Sequence, residues 1–160
     1  IATPPPSDPM HDPTLTAIMT ADHRRCDEHL AALEAAAQDG RWSEATDALD
    51  TFTATVRAHL LAEEQVLFPA FERATGQRGG PTMVMRMEHD QMRGLLDTLA
   101  EAVRAKNSPR CLDLSDTLMV LIQQHNMKEE QVLYPMCDQV LATEHGELRP
   151  RLQSALAPSA

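Results

Sequence analysis

Apolar residues recur every three or four positions along four stretches of the chain, which is the spacing of one face of an α-helix. The first stretch ends before Gly40 and the second before Gly76, and glycine commonly follows the C-terminus of a helix. The third follows Pro81 and the fourth opens at Ser108, before a proline that suits the first turn of a helix. The sequence has no sustained alternation of apolar and polar residues that would indicate a strand. The pattern therefore predicts an all-α fold, an antiparallel up-down-up-down four-helix bundle.

The bundle is predicted to span residues 13–143, a size that suits one domain. Residues 1–12 are rich in proline and lack the basic start and apolar run of a secretory signal, so we expect a disordered leader or an added remnant there. Residues 144–160 follow the last apolar stretch, and we expect a flexible C-terminal tail.

The second half of the chain repeats the first at an offset of 66 positions. The segment HLLAEEQVLFP, residues 59–69, matches HNMKEEQVLYP, residues 125–135, with Phe68 replaced by Tyr134. The same offset relates two further pairs, His23 with His89 and Asp22 with Glu88. The fold is thus predicted to contain two copies of one helical hairpin, each with a histidine on its first helix and His-x-x-x-Glu on its second.

Each His-x-x-x-Glu motif places its two side chains one helical turn apart on the apolar face of the helix. Burying imidazoles and carboxylates is costly unless they are paired or bind a metal. The predicted buried set is His23, His59, His89, His125, Glu63 and Glu129. Four imidazoles and two carboxylates are too many ligands for one ion but suit two, with each carboxylate bridging the ions and each ion taking two imidazoles.

Other interpretations exist for each of these residues taken alone. A single histidine on an apolar face is commonly a hydrogen-bonded core residue, and a single His-x-x-x-Glu can be a helix-stabilising pair. The joint occurrence of both features at one repeat offset favours the metal site. Glu64 and Glu130 point away from the shared face, so we expect them to be solvated or to support the ligands. We expect His29 at the surface, and Cys26 either beside the site or as an inert buried thiol.

Composition disfavours some classes of partner. The 160 residues carry a formal net charge of -10 and only 3% are aromatic, which disfavours nucleic acid and anionic membrane surfaces. The sequence has no run of about 18 uncharged apolar residues, so it predicts no transmembrane helix. Three cysteines without metal-type spacing suit a reducing compartment, so we expect a cytoplasmic protein.

The motifs resemble those of the hemerythrin-like, or HHE cation-binding, family over residues 14–142. This resemblance implies two iron ions bridged by Glu63, Glu129 and an oxo or hydroxo group. It also implies that His23 and His59 serve one iron, and that His89 and His125 serve the other. Glu88 resembles an acidic residue near the metal in iron-centre-repair members, where it lines an access path, although a solvated neighbour of His89 is an equal alternative.

The sequence departs from the oxygen-carrying members of that family on the third helix. Those members have a further histidine one turn along this helix, whereas the positions one turn either side of His89 are Met85 and Arg93. Both irons would then keep an open position, which suits chemistry with peroxide or nitric oxide better than reversible oxygen carriage. Ligand chemistry alone also accommodates manganese or zinc, including a two-metal site that activates water.

We therefore expect a non-haem diiron protein that reacts with oxygen, peroxide or nitric oxide in sensing, scavenging or detoxification, and peroxide disproportionation is the enzymatic activity to assay. Its partners would be a small diatomic or peroxide ligand and a redox partner. One alternative is an iron carrier or store that donates iron to an accepting protein, including for iron-centre repair. Another is a structural bundle with zinc or no metal.

Overall fold

The computed structural model describes residues 12–157, which are helical along most of their length and contain no strand. The helices are α1 (Leu15–Gln38), α2 (Trp42–Ala62), α3 (Phe68–Thr75), α4 (Pro81–Arg104), α5 (Ser108–Lys128), α6 (Tyr134–Val140) and α7 (His145–Leu156). A π-helical turn, Glu63–Leu67, joins α2 to α3, and another, Glu129–Leu133, joins α5 to α6. A short 3₁₀ turn, Ala142–Glu144, precedes α7. The all-helical prediction is confirmed for the described residues.

Local sequence signals set the helix ends. The Thr14 hydroxyl accepts a hydrogen bond from the backbone N–H of Ala17 and so caps the first turn of α1. Gly40 and Gly76 follow α1 and the α2–α3 segment with φ of 70° and 72°, a left-handed conformation that glycine adopts without steric cost. These ends match the boundaries that the glycines predict.

The two π turns carry each helical segment past a proline. Pro69 and Pro135 lack the N–H that would bond the carbonyl four residues earlier, and such a proline is expected to kink or end a helix. Here the Phe68 N–H bonds the Glu63 carbonyl five residues earlier, so the helical segment runs on from Trp42 to Thr75. The second hairpin repeats this bonding between Tyr134 and Glu129. A π turn is often found at a functional site, and each one here opens on a predicted ligand.

The core consists of two apolar clusters. We call them the Leu33 cluster, which includes Leu30, Leu33, Phe52, Leu96, Leu99 and Leu118, and the Leu15 cluster, which includes Leu15, Met19, Phe68, Phe71, Tyr134 and Leu152. Along α1, Met19 of the Leu15 cluster precedes His23, and Cys26 of the Leu33 cluster follows it. The predicted histidine and glutamate ligands therefore lie between the two clusters.

The C-terminal segment corrects the prediction of a flexible tail over residues 144–160. His145–Leu156 form α7, which packs on α1, α2 and the first π turn. Leucines at four-residue spacing, Leu148, Leu152 and Leu156, are buried in the Leu15 cluster, so this segment has the apolar face of an ordinary core helix. Residues 158–160 lie outside the described part of the chain.

The predicted leader, residues 1–12, also lies outside the described part except for Asp12, whose carboxylate is 3.3 Å from the Arg149 guanidinium on α7. Among the described helices, none combines the length and the apolar character needed to cross a membrane.

Candidate metal centre

The structure brings the six predicted ligands into one buried layer. Each histidine comes from a different long helix, and each glutamate is the first residue of a π turn. All six residues are at most 4% exposed; they are His23, His59, His89, His125, Glu63 and Glu129. Placing six ionisable side chains in the interior requires partners or a cation in the layer.

The donor atoms of this layer fall into two groups, within each of which the atoms lie within 4.8 Å of one another. One group contains Glu63, His89, His125 and Glu129, and the other contains His23, His59 and Glu129. Glu129 Oε1 is 3.1 Å from His125 Nε2 and 3.2 Å from His23 Nε2. Glu63 Oε1 is likewise 3.3 Å from His89 Nε2 and 3.4 Å from His59 Nε2, so each carboxylate contacts a histidine of both groups. The grouping of His23 with His59, and of His89 with His125, is the one that the family resemblance implies.

Each imidazole is fixed from outside by a carboxylate that accepts a hydrogen bond from its Nδ1. The four pairs are His23 with Glu130 at 2.9 Å, His59 with Asp22 at 2.7 Å, His89 with Glu64 at 2.8 Å and His125 with Glu88 at 3.0 Å. An Nδ1–H donor leaves the lone pair on Nε2, and all four Nε2 atoms face the layer. Carboxylates in this position orient metal-binding histidines and raise their basicity.

These four carboxylates differ in their own partners. Arg25 pairs with Asp22 at 2.7 Å, Arg93 pairs with Glu64 at 2.6 Å, and Lys128 pairs with Glu88. Among the ion pairs of the described residues, Glu130 has only His23, and its side chain is 30% exposed. The edge of the site at His23 is therefore its most accessible edge.

The electrostatics of the layer favour positive charge. Burial alone would lower the pKa of His59, but the charge of Glu63 and the hydrogen bond to Asp22 raise this pKa to about 10. Burial opposes ionisation of Glu64 too, yet hydrogen bonds from Arg93 and His89 hold its pKa below the usual value. Without a metal, the buried carboxylates favour protonated imidazoles. A bound cation would supply this positive charge instead.

Four buried atoms of the layer have no hydrogen-bond partner among the described residues, and they show whether the layer could bind a metal. Glu63 Oε1, His89 Nε2, His125 Nε2 and Glu129 Oε2 are buried and make no hydrogen bond within the described structure. Leaving such atoms without a partner costs about 1–3 kcal/mol each. All four residues belong to the first donor group, so the unpaired lone pairs converge on one region. Imidazole and carboxylate donors together suit iron, manganese or zinc, and the residues fit a metal of this kind.

Tyr134 is a site residue that the sequence interpretation missed. Its phenol oxygen lies 2.9 Å from Glu63 Oε2 and 3.1 Å from Glu129 Oε1, with both carboxylates as acceptors. The same oxygen is 3.1 Å from His23 Nε2 and 3.3 Å from His59 Nε2. Burial, together with the charges of Glu129 and Glu63, raises the pKa of Tyr134 well above its usual value. The signal available in the sequence was the difference between Tyr134 and its repeat counterpart Phe68.

Cys26 and Glu88, the two candidates for a supporting or access role, have different surroundings. Cys26 lines a cavity of about 20 Å³ together with His23, His59 and His125, and the cavity has room for about one water molecule. Burial raises the pKa of Cys26 to about 12, which makes the thiol inert as a nucleophile. Glu88 contacts both the buried His125, a predicted ligand, and the more exposed Lys128.

The remaining histidines and methionines lie apart from the donor groups. His29 is partly exposed on α1, and His145 Nε2 is 3.3 Å from Asp138 Oδ1. His11 lies outside the described residues. On α4, Met85 and Met92 pack in the core, whereas Met83 and Met87 are exposed.

No curated protein and no solved structure matches the chain. The family model described as the hemerythrin HHE cation binding domain matches residues 14–137, which include all six residues of the buried layer and Tyr134. The chain therefore belongs to the hemerythrin HHE cation-binding family.

Proposed function

We propose that this chain holds two iron ions between its four long helical segments and reacts with oxygen, peroxide or nitric oxide. The observation that carries the proposal is the buried layer of four inward-facing imidazole nitrogens and two carboxylates, each imidazole fixed by its own outer carboxylate. His23 and His59 would hold one ion and His89 and His125 the other, with Glu63 and Glu129 shared between the two. When bound, the ions would supply the redox chemistry that amino-acid side chains lack.

The proposal includes the antiparallel up-down-up-down topology of the bundle. Along α4 the Leu15 cluster comes first, with Met85, and the Leu33 cluster follows, with Met92. Along the segment that begins with α2 the order is reversed, since Leu60 of the Leu33 cluster precedes Leu67 of the Leu15 cluster. The alternation of this order supports an arrangement in which chain-adjacent segments run in opposite directions.

The surroundings of His89 support a centre that reacts with small ligands. Arg93 is engaged with Glu64, and Met85 is buried in the Leu15 cluster, so α4 offers one imidazole and no second one. Four histidines for two ions would leave positions for an added ligand. Burial of the layer excludes bulk water and large reductants, which restricts that ligand to a small molecule.

The chain's own residues would hold the site in one charge state and one geometry. Asp22 and its counterparts keep the imidazoles oriented, while Arg25, Arg93 and Lys128 offset the charge of three outer carboxylates. The three cysteines are free thiols, which supports a reducing compartment such as the cytoplasm. Deep burial of the ligands favours retention of iron over ready donation to another protein.

The test is to load the protein with ferrous iron without oxygen and then add oxygen, peroxide or nitric oxide separately. We expect a change in visible absorption with at least one of them, together with consumption of peroxide. His29→Ala is the matched control, because it removes an imidazole outside the layer, and it should behave like the wild type. Iron-loaded protein that responds to none of the three ligands would overturn the proposed reactivity. Rapid loss of iron to a weak chelator would instead indicate a carrier.

A further inference from the structure

The two halves of the buried layer are inequivalent at one repeat position. Tyr134 and Phe68 occupy the same place in the repeat, each is the first residue after a π turn, and both are fully buried. Their side chains differ by a single hydroxyl group. That hydroxyl lies inside the layer of ligands, so the difference between the repeats falls on the site itself.

The distances from the phenol oxygen to its neighbouring donor atoms match the distances between donor atoms that bind the same metal ion. It is 3.1 Å from His23 Nε2, 3.3 Å from His59 Nε2 and 3.1 Å from Glu129 Oε1. Donors bound at about 2.0–2.2 Å and at right angles to each other lie about 3 Å apart. The distance between His23 Nε2 and Glu129 Oε1, 3.2 Å, is also close to the value expected for two donors on one ion.

The pattern of unpaired atoms agrees with this asymmetry. Three of the four unpartnered donor atoms, on Glu63, His89 and His125, belong to residues found only in the group that contains His89 and His125, and the fourth is on Glu129, which both groups share. In the other group, the Nε2 atoms of His23 and His59 both have the phenol oxygen as a neighbour. Phe68 offers no donor to its own half, and its ring stacks on His89 with centroids 5.7 Å apart.

We propose that Tyr134 is a protein ligand, through its phenol oxygen, of the iron held by His23 and His59, and that the added small molecule binds at the iron held by His89 and His125. This inference rests on the proposed function, since it assigns a role within the same site. Binding replaces the bond between the phenol oxygen and its proton with a bond to iron(III), and the proton passes to solvent. Tyrosinate is a known protein ligand of iron, and it would complete one half of the site while the Phe68 half stays open.

The composition makes the test direct, because Tyr134 is the single tyrosine of the chain. The iron(III)-loaded wild type should show a visible charge-transfer band, and resonance Raman excitation within this band should enhance tyrosinate ring vibrations. Tyr134→Phe, which preserves the shape of the ring, should lose the band and these vibrations while its iron content is retained. If this variant fails to fold or to bind iron, the spectrum of the wild type still decides the question.

A second variant addresses the position of the small molecule. Phe68→Tyr places a phenol in the open half, and we expect it to abolish or strongly slow nitric oxide binding to the ferrous protein, whereas the control His29→Ala should bind nitric oxide as the wild type does. Bound iron without tyrosinate vibrations would overturn the assignment of Tyr134 and leave the proposed function standing. Nitric oxide binding to iron-loaded Phe68→Tyr at the rate and extent of the wild type would overturn the placement of the small molecule. A wild type that binds no iron would instead refute the proposed function, and this inference with it.

Discussion

Replacement of Asp22 by asparagine tests how much the outer carboxylates contribute to metal binding. The Asp22 carboxylate accepts from His59 Nδ1 at 2.7 Å, and both side chains are only 5% exposed. Asp22→Asn keeps the size of the side chain but removes the charge that raises the basicity of the imidazole. Loss of such a partner typically lowers metal affinity by about 10–100-fold.

The structure indicates which end of that range applies. Because the pair is short and shielded from water, we expect Asp22→Asn to weaken iron binding by about 100-fold, which corresponds to about 2.7 kcal/mol. Glu130→Gln changes the equivalent partner of His23, but that hydrogen bond is 2.9 Å long and the side chain of Glu130 is 30% exposed. Since water can replace part of the interaction, we expect a loss of only about tenfold.

The assay is competition for ferrous iron against a chelator of known affinity, without oxygen, with circular dichroism to verify folding. Asp47→Asn is the matched control, since it makes the same substitution at an exposed position of α2 far from the layer in sequence, and it should leave affinity unchanged. The reasoning fails if Asp22→Asn binds iron within about twofold of the wild type, well short of the expected loss. A larger loss for Glu130→Gln than for Asp22→Asn would refute the ranking by burial.

Three further predictions concern the ligands, the C-terminal helix and the thiols. Alanine in place of either buried glutamate, Glu63 or Glu129, should sharply reduce iron content measured by elemental analysis, and an equal loss in His29→Ala would mean that the helix faces are misassigned. Leu152→Ala removes a fully buried side chain of α7 and should lower the free energy of unfolding by about 2–5 kcal/mol in urea titrations, whereas exposed Leu61→Ala should change it by less than about 0.5 kcal/mol. Equal effects of these two changes would argue against the packing of α7. Because burial raises the pKa of Cys26 to about 12, its thiol should stay protonated and unreactive to iodoacetamide at pH 8–9 until the protein is unfolded, and rapid labelling of the folded protein would contradict this.

The residues of the buried layer could be predicted because their positions follow from helix geometry alone. Residues four apart share a helix face, so spacing alone pairs His59 with Glu63 and His125 with Glu129. The repeat then selects His23 and His89 from the seven histidines of the chain. The same geometry places Glu64 off the shared face, and the structure gives it a supporting contact with His89.

The role of Tyr134 could not be predicted in this way, because it depends on the conformation of the backbone. A π turn changes the angle at which the following residues leave the helix, and the bonding over five residues between Tyr134 and Glu129 is not encoded by spacing. The contacts of the phenol also join three helical segments that are distant in sequence.

The helix α7 was missed for a different reason. Its sequence contains Pro150 in the helix interior and has no side-chain cap at its start, so local signals argue against a helix. Burial of Leu148, Leu152 and Leu156 in the Leu15 cluster outweighs those local preferences, and this gain depends on the rest of the fold.

Elemental analysis of protein purified without added metal measures how many ions the buried layer holds, and an absorption spectrum of the oxidised protein is recorded on the same sample. We expect about two iron ions per folded chain, in keeping with the two groups of donors. We also expect visible absorption that disappears on reduction. Protein that contains zinc, or no metal at all, in the same folded state would contradict the assignment of two iron ions to this layer.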